Sequence, residues 1–328
     1  MAKRRKKKNA LKRMTARYGA MGFFLAIIIA AIYFIYSQGL LDSFFGEKPI
    51  VPLPEGTVEI HMIDVDQADA ILIQSGDGFM LIDAADRKAE SKQKLNTCLS
   101  NMGITTLEWL VLTHPDADHI GGAQMVLENY EVKNVMLPDK IHTSAIYENM
   151  LEAIIAEPDV AVHIVDVNAT LDTNTDDITA QIYDAGDTFE WRGLHFTVMG
   201  PLSTPNNNDS SVVLRMQCGE MVAMLTGDAE IEAEELMLDE HSRTLLDCDL
   251  LKVGHHGSST SSSQAFLNAL TPSIALISCG VDNDYGHPHS ESLQRLEAAG
   301  TTIYRTDLNG SVVISCDGTA FILKSTTK

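Results

Sequence analysis

The stretch from residue 109 to 122, WLVLTHPDADHIGG, joins a buried-strand pattern to a dense group of ionisable side chains. Four apolar residues predict the strand, and the segment after them contains His114, Asp116, Asp118 and His119. Imidazoles and carboxylates this close together desolvate and repel one another unless a cation compensates them. The spacing therefore predicts metal ligands at the end of a strand. A solvated acidic turn with a capping Asp is the alternative for this motif taken alone.

Four other segments carry the residue types that this motif lacks. Asp83 follows FMLI, Asp228 follows MVAMLTG, His255 and His256 follow LLKVG, and His287 lies in YGHPHS. Taken singly, an Asp after a strand is usually a turn or helix cap, and His287 is equally well read as a loop histidine. Because residues at strand ends meet along one edge of a sheet, the set together predicts a single site.

The hydrophobic pattern around these residues alternates short strands and helices. Two successive blocks of strands, each followed by helices, predict an α/β fold in which two sheets pack face to face with helices outside, a four-layer αββα sandwich. Strands are expected at 58–65, 70–74, 79–83, 109–112, 195–199, 211–216, 221–226 and 250–253, helices at 91–102, 123–129 and 230–240, and further alternating segments at 135–137, 145–155, 162–165, 179–183, 264–270, 274–278 and 290–298.

The charge is unevenly spread along the 328 residues. Residues 1–17 carry nine Lys and Arg and no acid, which leaves 15 Lys and Arg against 45 Asp and Glu in the rest, a net charge of about −30. Such a domain has little electrostatic attraction for a polyanion. This excess of negative charge counts against an extended nucleic-acid interface, although bound divalent cations would make the charge less negative at their site.

An uncharged run, AMGFFLAIIIAAIYFIY at 20–36, predicts an N-terminal transmembrane helix at 19–37. A secretory signal peptide is the alternative, but no small-x-small cleavage pattern follows. The basic arm 1–18 would then be cytoplasmic, and a linker at 38–56 would lead to one extracytoplasmic domain at 57–328. Taken alone, the basic arm would also be consistent with nuclear targeting or with binding of nucleic acid. Next to an apolar span, a single-pass anchor in the cell membrane explains it better.

The order HxDxDH, then GD, then HHGS resembles the metallo-β-lactamase fold, and more narrowly the extracellular nuclease-like domain of the ComEC competence proteins. The resemblance covers residues 58–322 and implies a metallo-β-lactamase-like hydrolase domain with phosphodiesterase or nuclease activity. It is carried by IDVDQADAILI, LTHPDADHIGG, NNDSSVVLR, LTGD, LKVGHHGSS and a final HP, RTDLNG and DG.

The same resemblance implies two divalent metal ions, Mn²⁺ or Zn²⁺, that share a bridging carboxylate and activate a hydroxide for attack on phosphorus. The implied ligands of the first metal are His114, Asp116 and Asp228, and those of the second are Asp118, His119, Asp228 and His255.

Further roles follow partly from the resemblance and partly from the residues themselves. A structural carboxylate orients the ligand loop, and a histidine before proline could act as general acid near the leaving group. His256 is expected either to support a metal ligand or to lie on the substrate side, and not to be a ligand itself. We therefore expect catalytic roles for Asp118, His256 and His287, substrate contacts from Asn208, Ser210 and Lys252, and the structural role for Asp83. For Lys252, a surface ion pair is an equal alternative.

Three segments depart from the family pattern. Asp116 replaces the second His of the HxHxDH form, as in the ComEC-like subgroup, and Asn208, Asp209 and Ser210 stand where a third-motif His is usual. These changes would weaken the first metal site and make Mn²⁺ fit at least as well as Zn²⁺. The turn DVDQAD at 64–69 replaces the glycine-rich DVGQGD, which puts the substrate geometry in question.

The leading functional hypothesis is a membrane-anchored, extracytoplasmic, metal-dependent phosphodiesterase with single-stranded DNA as the expected substrate. A cell-wall or lipid phosphodiester is the alternative substrate, and it suits the acidic surface better. A non-catalytic binding module on the same fold is a third hypothesis. Lactam hydrolysis is disfavoured because the usual three-His site is missing, and one span excludes DNA uptake through this chain alone. The sequence indicates no stable protein partner.

Overall fold

The computed structural model describes residues 50–157, 159–167, 180–203 and 205–328. The predicted basic arm, the predicted anchor and the linker up to residue 49 lie outside these ranges. Among the described residues, no helix is long and apolar enough to cross a membrane. Residues from Ile50 to Lys328 form one compact unit.

Within the described residues, a nine-stranded sheet carries the first ligand motif. Its strands, numbered in chain order, pair in the sequence β18 (Phe321–Thr326), β17 (Val312–Cys316), β1 (Val58–Met62), β2 (Ile71–Ser75), β3 (Gly78–Ile82), β5 (Trp109–Val111), β7 (Asn134–Pro138), β8 (Ala161–Val165) and β9 (Ala180–Tyr183). From β3 to β9 the neighbours run parallel, and from β18 to β3 they run antiparallel. The parallel strands β3, β5 and β7 are apolar and mostly buried, as expected when both faces are covered.

A second sheet, with seven strands in the described part of the chain, carries the later motifs. Its strands pair in the order β10 (Thr188–Trp191), β11 (Leu194–Gly200), β12 (Val213–Cys218), β13 (Met221–Leu225), β14 (Leu250–Lys252), β15 (Ile274–Ile277) and β16 (Thr302–Arg305). From β13 to β16 the neighbours are parallel. The loops that leave β13, β14 and β15 therefore start from the same edge of this sheet.

Helices cover the outer faces of both sheets, and a small parallel pair, β4 (Thr106–Leu107) and β6 (Glu131–Val132), lies beside the first sheet. The helices among the described residues are α1 (Ala89–Asn101), α2 (Ala117–Ile120), α3 (Ala123–Asn129), α4 (Ala145–Ala156), α5 (Ile231–Glu240), α6 (Arg243–Leu246), α7 (Gln264–Leu270), α8 (Ser290–Ala298) and α9 (Thr306–Asn309).

Three apolar clusters hold these layers together. The central cluster lies between the sheets and includes Ile60 of β1 and Phe196 of β11, both fully buried. A second cluster packs helices on the first sheet through Leu95, and a third packs helices on the second sheet through Phe266 and Leu296. Burial of each such side chain contributes about 1.5–3 kcal/mol. The predicted mixed α/β architecture, with two sheets inside and helices outside, is confirmed.

A polar clamp joins the two sheets at the end remote from the ligand motifs. Glu108, just before β5, receives hydrogen bonds from Arg192 Nε and Nη2, each at 2.7 Å, and from Trp191 Nε1 at 2.6 Å. The hydrogen bond from Arg192, followed by that from Trp191, outweighs burial and lowers the pKa of Glu108 to about 2. The ionised carboxylate is therefore the form that the folded chain stabilises.

We predict that Glu108→Gln lowers the free energy of unfolding at pH 7 by about 1–3 kcal/mol. Because the folded pKa lies below the ordinary value of 4.5, this contribution is fully present above pH 4.5 and is lost as the pH falls to about 2. Urea unfolding followed by fluorescence checks this, since one of the two tryptophans contacts Glu108. Glu235→Gln, at an exposed position of α5, is the control. If the free energies of unfolding of Glu108→Gln and of the unaltered chain differ by the same amount at every pH, the prediction is contradicted.

Candidate metal centre

The loop after β5 and the short helix α2 place three of the predicted ligands together. His114 and His119 are buried, and their ring centroids are 4.0 Å apart. Asp118 precedes His119 in α2, at the same edge of the sheet. Gly121 ends this helix where a Cβ would lie 2.0 Å from the backbone nitrogen of Arg87. Glycine is therefore required for the loop to pack this closely against its neighbour.

The carboxylate of Asp228, which follows β13, is at the centre of the site. Burial raises the pKa of this carboxyl, but the surrounding imidazoles outweigh burial and hold the pKa of Asp228 well below its usual value. The geometry thus brings four imidazoles around one ionised oxygen. Its Oδ2 lies 3.2 Å from Nε2 of His119, 3.6 Å from Nε2 of His256, and 4.0 Å from Nε2 of both His114 and His255.

Buried polar atoms without partners show that this donor set fits a divalent cation. Nε2 of His114, His119 and His256 and Oδ1 of Asp228 are buried, and none of them has a hydrogen-bond partner in the described structure. Each such atom costs about 1–3 kcal/mol if left unsatisfied, and a bound cation would satisfy them together. Imidazole and carboxylate donors suit Zn²⁺ and Mn²⁺. Ligand atoms within 4.8 Å of one another occur in the groups His114–His119–Asp228, Asp118–His119–His256, Asp69–Asp228–His256 and Asp69–Asp83–His119.

Asp83 contacts His119 on the side away from Asp228. Asp83 Oδ2 accepts a hydrogen bond from His119 Nδ1 at 2.7 Å, and Thr113 donates two further bonds of 2.8 Å to the same carboxylate. Burial lowers the pKa of His119, but Asp228 and Asp83 outweigh burial and raise this pKa well above its usual value. With Nδ1 bonded to Asp83, Nε2 is directed at Asp228, as in carboxylate-oriented metal ligands. The position is compatible with the predicted structural role of Asp83.

The GHHG segment turns its two histidines in different directions. Both have left-handed backbone angles, with φ of 47° and 51°. His256 is buried, its Nδ1 donates to the carbonyl of Ser278 at 2.9 Å, and its Nε2 lies 3.4 Å from Asp118 Oδ2. His255 has 25% of its side chain exposed, and its Nδ1 lies 2.9 Å from Oε1 of Glu230. Among the described residues, His256 therefore joins the groups of close ligand atoms and His255 does not.

A buried ion pair between Asp69 and Lys252 lies next to the ring of His256. Asp69, at the end of the DVDQAD turn, lies 2.7 Å from Nζ of Lys252 and 3.3 Å from Nδ1 of His256. Burial raises the pKa of Asp69, but Lys252 and His256 outweigh burial and lower it below the usual range. Lys252, predicted as a substrate contact, is only 1% exposed and also donates to the carbonyl of Val253, so it faces the interior of the fold. The sequence reasoning missed Asp69, although the altered turn pointed to this region.

Of the residues that stand where a third-motif His is usual, Asp209 and Ser210 are buried and Asn208 is partly exposed, and the neighbouring Asn207 contacts Asp116. Asp116 Oδ1 accepts a hydrogen bond from Asn207 Nδ2 at 2.6 Å, and its Oδ2 lies 3.8 Å from His114 Nε2. Asp116 is thus near the cluster but partly exposed. Ser210, predicted to contact substrate, is fully buried and donates to the carbonyl of Asn207 at 2.5 Å. The structure therefore places Ser210 inside the fold and not at a surface that a substrate could reach.

Asn208 and His287 flank His255 on the more open side of the site. Asn208 Nδ2 lies 3.4 Å from Nδ1 of His255, and the ring centroid of His287 lies 5.3 Å from that of His255. Burial, together with the charges of His256 and His255, lowers the pKa of His287 to about 4. This pKa favours the neutral imidazole at pH 7, and the role of His287 as general acid stays a prediction.

The sandwich fold and the histidine–carboxylate cluster define the class of protein. The model of the Metallo-beta-lactamase superfamily matches residues 63–281, and this chain belongs to that superfamily. Most members of the superfamily are hydrolases, and the fold implies binding of divalent metal ions.

Within this superfamily, the chain is similar to competence proteins. It is 32% identical over 281 residues to ComE operon protein 3 of Bacillus subtilis, 29% over 275 residues to Competence protein ComA of Neisseria gonorrhoeae, and 29% over 268 residues to Recombination protein 2 of Haemophilus influenzae. The alignments cover 80%, 83% and 80% of this chain, but 34%, 34% and 29% of the relatives. The predicted resemblance to ComEC-like proteins is confirmed, and the chain spans about one third of the length of these relatives.

We predict that Asp83→Asn weakens binding of Mn²⁺ or Zn²⁺ by about 10- to 100-fold, because the neutral amide has one acceptor oxygen for the bonds from His119 and Thr113 that the carboxylate accepts on two. Asn tolerates the left-handed backbone of Asp83, where φ is 59°, so the fold should persist. Calorimetric titration of the metal-free chain measures the affinity, and circular dichroism checks the fold. Asp239→Asn, at an exposed position of α5, is the matched control. Unchanged affinity in Asp83→Asn would exclude an orienting role.

Proposed function

We propose that this chain is a metal-dependent phosphodiesterase that is anchored in the cell membrane and acts outside the cytoplasm. The observation that carries the proposal is the set of unpartnered imidazole and carboxylate atoms around Asp228. Membership of a mostly hydrolytic superfamily and similarity to competence proteins support a hydrolase that acts on nucleic acid. The uncharged run at 20–36 and the nine cations before it support the anchor and its orientation.

The proposed ligand set follows the sequence prediction with one change. His256 takes the place that the sequence assigned to His255, because its buried Nε2 faces Asp118 and Asp228. When bound, divalent cations would lower the pKa of water to near neutrality and stabilise the charge that develops on the phosphoryl oxygens. The proposed metal-holding residues are His114, Asp116, Asp118, His119, Asp228 and His256.

The proposed role of His255 is to donate a proton to the substrate beside this cluster. Glu230 fixes its Nδ1 at 2.9 Å, and Thr260 donates to the same Glu230 oxygen at 2.6 Å. The ring is therefore held with Nε2 toward Asp228, on the partly exposed side. In that position Nε2 can hold the proton that the leaving oxygen requires. Asn208, also at this edge, is the remaining candidate for a contact to phosphate.

A cell-wall or lipid phosphodiester is the second candidate substrate, and the strongly acidic composition favours it. An extended DNA strand gains most of its affinity from cationic side chains, which this chain has in small number outside its first 17 residues. A phosphodiester with few charges would not be repelled in the same way. A third possibility is a non-catalytic binding module, which would retain the metal without turnover.

Purified full-length chain, stripped of metal and then supplied with Mn²⁺ or Zn²⁺, is expected to cleave single-stranded DNA and bis(p-nitrophenyl) phosphate. The Asp118→Ala, His119→Ala double variant should lose at least about 100-fold of both rates, because it removes two proposed ligands. Asp239→Asn is the control at an exposed site remote from the cluster. Cleavage of the small ester and of a glycerol phosphodiester, but not of DNA, would favour the wall or lipid substrate. Metal binding without turnover would favour the binding module, and failure to bind metal would overturn the site.

The exchanged roles of the two adjacent histidines give a separate prediction. His256→Ala should lower the measured metal-to-protein ratio, because it removes a buried ligand atom. His255→Ala should keep that ratio and lower kcat on the small ester by about 100-fold or more. Elemental analysis and kinetics measure the two effects, with His195→Ala, half-exposed and paired with Glu190, as control. Loss of metal in His255→Ala alone would restore the assignment made from the sequence.

A further inference from the structure

An exposed tyrosine stands beside the metal centre without a packing role that explains it. Tyr285 is 66% exposed, in the loop between β15 and α8. Its ring stacks on the ring of His287, with centroids 5.7 Å apart and an interplanar angle of 22°. His287 in turn stacks near His256, at 6.2 Å and 24°. Tyr285 is therefore the exposed end of a row of three rings, in which His287 lies between Tyr285 and His256.

The loop that carries Tyr285 is fixed by hydrogen bonds. The Nδ2 atom of Asn283 donates to the carbonyls of Gly280 and His287 at 2.9 and 2.6 Å, and its Oδ1 accepts from the backbone of His287 at 3.0 Å. Nδ1 of His289 accepts from the backbone of Ser259, so Nε2 carries the proton and donates to the carbonyl of Tyr285 at 3.1 Å. An aromatic ring that is both exposed and held by a rigid backbone loses little entropy when a ligand stacks on it.

The same loop is tied to the turn that differs from the family pattern. The backbone nitrogen of Gly280 donates to Gln67 Oε1 at 3.0 Å, and Gln67 Nε2 lies 3.4 Å from His287 Nδ1. Gln67 belongs to the DVDQAD turn that also supplies Asp69. These hydrogen bonds connect the loop of Tyr285 to the turn that supplies Asp69, and they thereby fix the position of Tyr285 relative to the metal centre.

We propose that Tyr285 is the stacking platform for a nucleobase next to the phosphodiester that is cleaved. The proposal rests on the phosphodiesterase function above and names its substrate as single-stranded nucleic acid. A flat base is the group that a free, rigid tyrosine face binds best, and such stacking tolerates every base. It also supplies affinity that does not depend on cationic side chains, in which this chain is poor. A glycerol-phosphate chain has no ring to place there.

The test compares the dinucleotide d(TpT) with its two analogues in which one nucleoside is replaced by an abasic deoxyribose. Mn²⁺-loaded full-length chain, its Tyr285→Phe and Tyr285→Ala variants, and the control Ile322→Ala are assayed for kcat and KM by chromatography. Ile322 is an exposed apolar residue on β18, outside the site. We expect Tyr285→Ala to raise KM for d(TpT) about tenfold and Tyr285→Phe to behave like the unaltered chain. The effect should vanish on the analogue that lacks the stacked base.

An equal loss on d(TpT) and on both abasic analogues would overturn the proposal, because the ring would then act on the site and not on a base. No loss at all would overturn it as well. If the unaltered chain cleaves no phosphodiester, the proposed function fails, and binding decides the role of Tyr285 separately. Fluorescence anisotropy at fixed salt then compares labelled dT8 with an abasic octamer. A dissociation constant about tenfold larger in Tyr285→Ala, for dT8 only, supports the platform, and equal or absent binding of dT8 overturns it.

Discussion

The burial of several carboxylates around a few imidazoles is the constraint on which the rest of this structure depends. Asp69, Asp83 and Asp228 are each almost completely buried, and an unpaired buried charge costs several kcal/mol. Lys252 compensates one of them through a direct ion pair. For the others, the structure provides His119, whose pKa is raised by its carboxylate partners despite burial. Protons on His119 and on His256, the pKa of which is raised to about 10 by Asp228 and Asp69 despite burial, thus supply, in the metal-free chain, positive charge that a bound divalent cation would otherwise supply.

The topology explains why these charges meet. Asp83 and the first ligand loop follow the parallel strands β3 and β5 of one sheet, and Asp228 and His256 follow β13 and β14 of the other. Parallel strands deliver their following loops to the same edge, and packing the two sheets face to face sets the two edges side by side. The ion pair between Lys252 and Asp69 crosses this junction, as the Glu108 clamp does at the remote end. The site is therefore also part of what joins the halves of the sandwich.

Strand ends and motif order allowed the sandwich and the cluster around Asp228 to be predicted, because both depend on local pattern. The different directions of the His255 and His256 side chains could not be predicted, since spacing does not encode how two successive left-handed residues orient them. Lys252 was misjudged because β14 is buried on both faces, so alternation gives no sign of which residue faces water. The contact of Glu230 with His255 could not be predicted either, because the two residues are 25 positions apart and nothing in the sequence around Glu230 indicates it.

The distribution of cations determines how a substrate can be held. Several Lys and Arg side chains of the described chain are committed to internal pairs, such as Arg192 with Glu108, Arg305 with Asp307 and Lys94 with Asp66. A long polyanion would meet mostly negative potential away from the cluster, so its affinity has to come from the metal centre and from uncharged contacts. Binding of this kind releases few counterions and depends only weakly on salt. The proposed phosphodiesterase would therefore engage one phosphodiester at a time, on a strand flexible enough to bring that bond to the sheet edge.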